Sequence, residues 1–224
     1  MKAPDYQERR EARRAEERDL HRRQILDAAL ELFAHRGFGK TAVHEIAAAA
    51  GFSVGHIYNL IGNKRAVYDA VHDREHENLA RVVQGTIESF ADQPAVVRLD
   101  RLVDATLDFI SERRFFIQIH QRELDLAESM DVQFSAATQQ KKRHFKDRVD
   151  RMIEEIIREG ITTGDLVNLS VGDLMHVYEE LLSSFVARWA INGFKGDIRD
   201  KAPVVKHVLW NGFAASDEAR RIVQ

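Results

Sequence analysis

The chain has 224 residues, 44% of them hydrophobic, with three prolines and no cysteine. That length supports a sizeable buried core in one or two domains, and the missing thiols exclude disulfides and thiolate metal sites. A net charge of −3 excludes a general positive field as the basis of any binding to polyanions.

No apolar run reaches the roughly 20 residues that span a bilayer, and the first residues lack the apolar core of a signal peptide. The expected location is the cytoplasm, with no membrane partner. Helix formers nearly throughout predict an all-α protein. Charge is unevenly spread: residues 1–64 hold 11 Lys and Arg against 9 Asp and Glu, and the remainder 22 against 27. Only the first segment is basic.

Residues 1–17 are charged and nearly free of large apolar side chains, and are expected to be a disordered or frayed helical extension. A sharper reading makes them a basic arm, with Arg9, Arg10, Arg13 and Arg14 reaching phosphates or the minor groove of DNA. A helix follows, with Ile25, Ala28, Ala29, Leu32 and Phe33 on one stripe. Gly37 reads as its stop. Thr41 is the expected N-cap of a second helix carrying Val43, Ile46, Ala47 and Ala50. Gly51 breaks that run, Phe52 plugs the corner, and Ser53 caps a third helix from Val54 with Ile57, Leu60 and Ile61 for packing. Asn63 caps a fourth start, with Lys64 in its first turn. Two short helices around a Gly-containing turn make a helix-turn-helix. Small residues at 47–50 permit close approach, so the second of the pair can enter a major groove. An ordinary helical hairpin would produce the same spacing.

The letters are more specific. Ile25 to Val71, ILDAALELFAHRGFGKTAVHEIAAAAGFSVGHIYNLIGNKRAVYDAV, resembles the DNA-binding domain of TetR/AcrR family transcriptional regulators, through A-x-x-L-F with RGF, T-x-V-x-x-IA, AG-x-S-x-G, and I-Y followed by NK. Val54, His56 and Leu60 depart from residues frequent in the family at those positions. The resemblance implies a DNA interface drawn from Thr41, His44, Ser53, Val54, Gly55, His56, Tyr58, Asn59 and Lys64. Of these, Tyr58 and Lys64 match positions that hold phosphates. His56 is the expected exposed base reader, Asn59 a second candidate, and Gly55 allows close backbone approach.

Further along, a helix is predicted from Lys64 to about Phe90. Its polar middle, His72 to His76, reads as a solvated face linking two domains. His72, Glu75 and His76 also match the H-x-x-E-H pattern of inverted zinc peptidases, although no third ligand can be placed. Pro94 opens a helix with Leu99, Leu102, Val103, Leu107 and Ile110, and residues 112–128 form another. A long helix from about 132 to 159 is expected to stop at Gly160, followed by a loop to Asn168. Ser170 and Asp173 start a helix that is apolar nearly all round and ends at Asn192-Gly193. Pro203 starts the last predicted helix. A helix apolar on several faces near the end of a chain this size implies a partner subunit, with Leu181, Phe185, Trp189, Val205 and Leu209 as the dimer surface. The resemblance implies an apolar effector pocket in this half, for which Phe115, Phe116, Met175, Tyr178 and Trp189 are the candidate lining. His120, His144 and His176 are candidates to sense a polar ligand group.

The predicted architecture is an extension (1–17), a three-helix helix-turn-helix DNA-binding domain (18–66) and a helical effector-binding and dimerisation domain (67–224). Its expected role is a homodimeric, non-enzymatic repressor. A small apolar or amphipathic effector releases it from a palindromic double-stranded operator, and no cofactor or metal is involved. The alternatives are a zinc hydrolase on His72, Glu75 and His76, and an all-α interaction module without DNA binding.

Overall fold

The computed structural model describes residues 6–126 and 136–223. Among them, helices α1 (Tyr6–Lys40), α2 (Val43–Ala50), α3 (Val54–Leu60), α4 (Lys64–Ser89), α5 (Ala95–Glu112), α6 (Arg114–Leu126), α7 (Ala136–Thr163), α8 (Val171–Ile191), α9 (Ala202–Phe213) and α10 (Asp217–Ile222) follow in order. A 3-10 turn, Ile198–Lys201, precedes α9. There is no strand among the described residues; the one bridge pairs Leu166 with Ala214. Among the described residues two compact units separate, 6–74 with 122–126 and 75–121 with 136–223.

In the first unit, α1 buries Ile25, Leu26, Ala29, Leu30, Phe33 and Ala34, a stripe of helical period. Of the two forms expected for the extension, disordered or helical, residues 6–17 take the helical one, continuous with this stripe. No Gly or Pro interrupts 6–36, and Arg, Glu and Ala are strong helix formers. Once the stripe downstream is packed, each further residue extends an existing helix without a new nucleation cost. Gly37 breaks α1 at φ 78, so the predicted stop is present as a sharp kink. Phe33 and Phe38 then each meet Tyr68 edge to face, with centroids 5.0 and 4.9 Å away, and lie 5.9 Å from each other at a shallow tilt, joining the end of α1 to α4.

One expectation for α4 needs correction. Its polar middle is no solvated face: His72 is 0% and Glu75 2% exposed. Within the second unit the Glu75 carboxylate accepts from Arg113 Nε at 3.2 Å, and the His76 ring stacks on Phe145. Nor do these residues form a metal centre. Among the described residues no group of three or more His, Asp or Glu is placed to hold a metal ion. The H-x-x-E-H spelling places a carboxylate in a packed, arginine-paired site instead.

The second unit is organised on α5, whose buried Leu99, Leu102, Val103 and Leu107 pack against α7, α9 and the 3-10 turn. Each fully buried Leu contributes about 1.5–3 kcal/mol. A buried carboxylate sits in this apolar surround. Asp100 accepts from Trp210 Nε1 and from Lys206 Nζ, both at 2.8 Å. Lys206 also donates to Asp104 at 2.7 Å. The helix α7 does not stop at Gly160 but continues to Thr163. Gly160 is there for space: a Cβ built on it would lie 2.7 Å from Ala95 Cβ and 2.8 Å from Leu166 side-chain atoms. The true break is Gly164, at φ 82. The following loop is held to the end of α9 by Val167 N–H donating to Phe213 O (2.8 Å) and Ala215 N–H to Asp165 O (3.1 Å). The short α10 was not predicted from its six mostly charged residues. It forms because the Ser216 hydroxyl caps Ala219 N–H at 3.1 Å and Ala219 is buried.

Gly160→Ala should therefore destabilise the fold by about 1–3 kcal/mol through overpacking. Ordinary helix propensity would instead favour Ala by about 1 kcal/mol. Urea unfolding followed by far-ultraviolet circular dichroism distinguishes the two signs.

Candidate nucleic-acid interface

The helix-turn-helix is built from local backbone chemistry. Ile46 and Ala47 of α2 and Ile57 of α3 are buried, which fixes the inner face of both helices. Gly51 ends α2 in the left-handed region at φ 76, and nothing lies within 4 Å of where its Cβ would be. The glycine is needed for its backbone conformation and not for space. Phe52 N–H then closes the turn on Ala47 O at 2.9 Å. At the next residue Ser53 Oγ accepts His56 N–H at 3.1 Å, capping α3. At the next start Asn63 Oδ1 accepts Ala66 N–H at 3.0 Å. These three turn residues do what their letters predict.

The start of α2 differs. The N-cap is Ala42, and Glu45 reaches back to accept Ala42 N–H at 2.8 Å. That bond, with Arg36 as ion-pair partner, holds the Glu45 carboxyl below the usual carboxylate range. Thr41 is 1% exposed, and its hydroxyl donates to Gly37 O at 2.9 Å. It stabilises the α1–α2 corner from inside and offers DNA no side chain, contrary to its place among the expected contacts.

The outer face of α3 is a continuous exposed surface. Ser53, Val54, Gly55, Tyr58 and Asn59 are all exposed, Tyr58 at 52%, with His44 exposed on α2. His56 is not part of that face. Its ring stacks on Phe52 with centroids 5.0 Å apart and meets the edge of His21 at 5.1 Å, and its Nε2 is buried without a hydrogen bond among the described residues. The expected reader is thus turned toward α1. The periodicity hid this, because position 56 lies between the buried Ile57 side and the open side. Lys64 is committed too: Nζ donates to Phe38 O at 2.9 Å and lies 4.5 Å from the Phe38 ring centroid.

Residues 25–71 match the model of the bacterial regulatory proteins, tetR family. The HTH-type transcriptional regulator AcrR of Shigella flexneri is 24% identical over 187 residues, covering 81% of this chain and 83% of that one. Residues 25–71 thus carry the tetR-family DNA-binding domain, and the chain is similar to a TetR/AcrR-type regulator along most of its length. The transcriptional activator FasR of Mycolicibacterium smegmatis is 37% identical over 93 residues, 42% of each chain. The crystal structure of FadR from Bacillus subtilis in complex with stearoyl-CoA is similar in fold. Its TM-score is 0.70 at 22% identity, covering 84% of this chain and 97% of that one. The present chain is a DNA-binding transcriptional regulator, all-α, with its tetR-type helix-turn-helix in the first unit. Among the described residues no helix is long and apolar enough to cross a membrane.

The second unit holds the remaining candidates. Met175, Tyr178 and Trp189 are buried members of one core cluster. Tyr178 donates to Leu99 O at 3.4 Å, and burial with Asp100 nearby pushes its hydroxyl far up, so it stays protonated. Trp189 Nε1 donates to Gly196 O at 3.1 Å. Phe116 is buried against His76, and Phe115 is half-buried under Arg114. None of the five lines the described cleft. That cleft, of about 510 Å³, opens between α4 and α5 and is bordered by Val82, Ala105 and Phe109 together with Arg81, Asp108 and Arg113, an apolar lining with charged groups around it. His120 and His176 are exposed, as is His144. Of the expected dimer residues, Trp189, Val205 and Leu209 are at most 9% exposed within the single chain, while Leu181 and Phe185 are half-buried. The open apolar row on α9 is instead Val204 and Val208, 50% and 49% exposed. It lies one residue round the helix from the core pair.

Tyr58→Phe should leave the unfolding free energy unchanged and weaken binding to all duplexes alike, by about 1 kcal/mol, as loss of one phosphate hydrogen bond implies. Lys64→Met should lower stability as well as affinity, because its ammonium also holds the Phe38 carbonyl. Urea unfolding and fluorescence-anisotropy titration of each variant separate the two behaviours.

Proposed function

We propose that this regulator is a repressor that acts in the cytoplasm as a homodimer on a pseudo-palindromic operator, is released by a small apolar or amphipathic effector, and has no catalytic activity and no cofactor. The observation that carries the reading is the outer face of α3, where a capped helix start presents Val54, Gly55, Tyr58 and Asn59 without a competing side chain. Recognition helices contact base edges with their N-terminal residues. Val54 suits a thymine methyl and Asn59 an adenine edge, while Gly55 lets the backbone approach the duplex. Ser53 and Tyr58 hold phosphates, His44 supports them from α2, and Lys64 adds a charge at the start of α4. His56, turned inward, shapes the helix without reading a base.

Two copies are needed because one short helix covers too few base pairs for useful specificity. The supporting surface is the row of exposed apolar residues on neighbouring helices: Val177 on α8 and Val204 and Val208 on α9, with Leu181 and Phe185 beside them. Twofold packing of α8 and α9 as four helices would cover these residues. The effector reading is supported by the fold shared with a regulator that was crystallised with stearoyl-CoA. Linkage requires that a releasing ligand bind the DNA-free protein more tightly than the DNA-bound protein.

Selection of bound duplexes from random DNA tests the operator. The expected product is an inverted repeat whose half-sites lie about one helical turn, roughly 34–36 Å, or a multiple apart. An enriched site without symmetry would refute the twofold reading. The pair Val177→Glu and Val208→Glu places charges on side chains that the single chain leaves open, so the subunit should still fold while a buried unpaired charge blocks association. Light scattering at micromolar concentration should give the dimer mass for the wild type and half of it for the variant. A wild-type monomer would overturn the proposal.

A further inference from the structure

The helical extension of α1 gathers three exposed arginines on one side. At about 100° per residue, Arg10, Arg14 and Arg18 fall within about 80° of one another, flanked by Arg9 and Arg13. Glu8, Glu16 and Asp19 lie elsewhere around the helix, while Glu17 and Glu11 border this arc, each about 20° beyond its end arginine. Arg10, Arg13, Arg14 and Arg18 are all exposed, and none has an ion-pair partner among the described residues. The direction of this face is fixed by His21, which shares it. The His21 ring lies 4.7 Å from Phe52, at the corner of the helix-turn-helix, and 5.1 Å from His56 on α3. The side of α1 turned toward the start of the recognition helix is therefore the side that carries the arginines, and all of it belongs to one compact unit.

We infer that the face of α1 bearing Arg10, Arg14 and Arg18 is a second DNA-binding surface, which grips the phosphate backbone of duplex flanking the site read by α3. This rests on the regulator reading above and extends it outward. From His21 to Arg10 the helix rises about 16 Å, the length of roughly five base pairs at 3.4 Å each. A helix about 10–12 Å across cannot enter a minor groove about 6 Å wide. The contact is with phosphates along the groove edge, so it adds affinity without sequence preference. The helical form also removes the flexible minor-groove arm as the mode of contact.

The test uses the full chain and a duplex obtained by selection from random DNA. The duplex is prepared once with twelve flanking base pairs on each side and once trimmed to the site. Arg10→Gln with Arg14→Gln keeps helix propensity nearly constant. On the flanked duplex its salt dependence should be shallower than wild type by about 1.8 log units per log unit of salt for each subunit, about 0.9 for each lost phosphate contact. On the trimmed duplex the difference should vanish. Arg10→Lys with Arg14→Lys should restore the wild-type slope, and Glu11→Gln with Glu16→Gln should not make it shallower. A wild-type slope for the glutamine variant on the flanked duplex would overturn the inference while leaving the α3 reading intact. Failure of the wild type to bind any selected duplex would overturn both.

Discussion

The left-handed turn at Gly51 is the constraint on which the DNA-binding unit depends. It reverses the chain in three residues, from the last carbonyls of α2 to the Ser53 cap of α3. A side chain there would meet no steric neighbour, so the demand is purely on φ, where a non-glycine residue is strained. Everything that makes the surface useful follows from that reversal. Ile57 turns inward onto the same core as Ile46 and Ala47, and the opposite side of α3 is left open. His56, between the two, finds aromatic partners in Phe52 and His21. One backbone conformation thus sets both the packing of α3 and the residues it offers to DNA.

The second unit solves a different problem, that of holding long helices together around polar groups. Asp100 is 5% exposed in an otherwise apolar region. A lone buried carboxylate would be costly. Here both oxygens are taken, one by the Trp210 indole and the other by Lys206, whose charge Asp104 shares. Such a pair is a poor source of net stability compared with apolar packing, but it is specific: a shift of α9 by one residue would orphan all the partners at once. Val204 and Val208 lie on the outer side of the same helix. The position of the proposed pairing surface is therefore tied to a buried electrostatic contact with α5.

Much of this was legible in the sequence because short-range rules govern it. Gly37, Gly51, Ser53, Asn63 and Ser170 each perform the turn or cap their letters announce, since those functions depend on residues within four positions. The errors fall where a second element decides. Gly160 looked like a helix stop, but the close approach of Ala95 and Leu166 explains it. His72 and Glu75 looked solvent-facing because they are polar, but both are buried. His56 looked open because the neighbouring helical register is open, but α1 supplies a partner. Trp189, Val205 and Leu209 were assigned to a partner subunit because they are apolar, and the single chain already buries them. The four-residue spacing of Arg10, Arg14 and Arg18 was present in the letters throughout, but it has a direction only once the segment is known to be helical and His21 is seen against α3.

The central claim is that the open face of α3 lies in the major groove. The chain has no cysteine, so Asn59→Cys creates a single attachment point for an iron chelate that cleaves DNA by local radical generation. Cleavage on a selected duplex should appear as one cluster in each half-site, with the strand offset of major-groove attack. The same chelate at Thr162→Cys, on the exposed end of α7, should leave the half-sites uncut. Strong cutting from position 162 with none from position 59 would contradict the account.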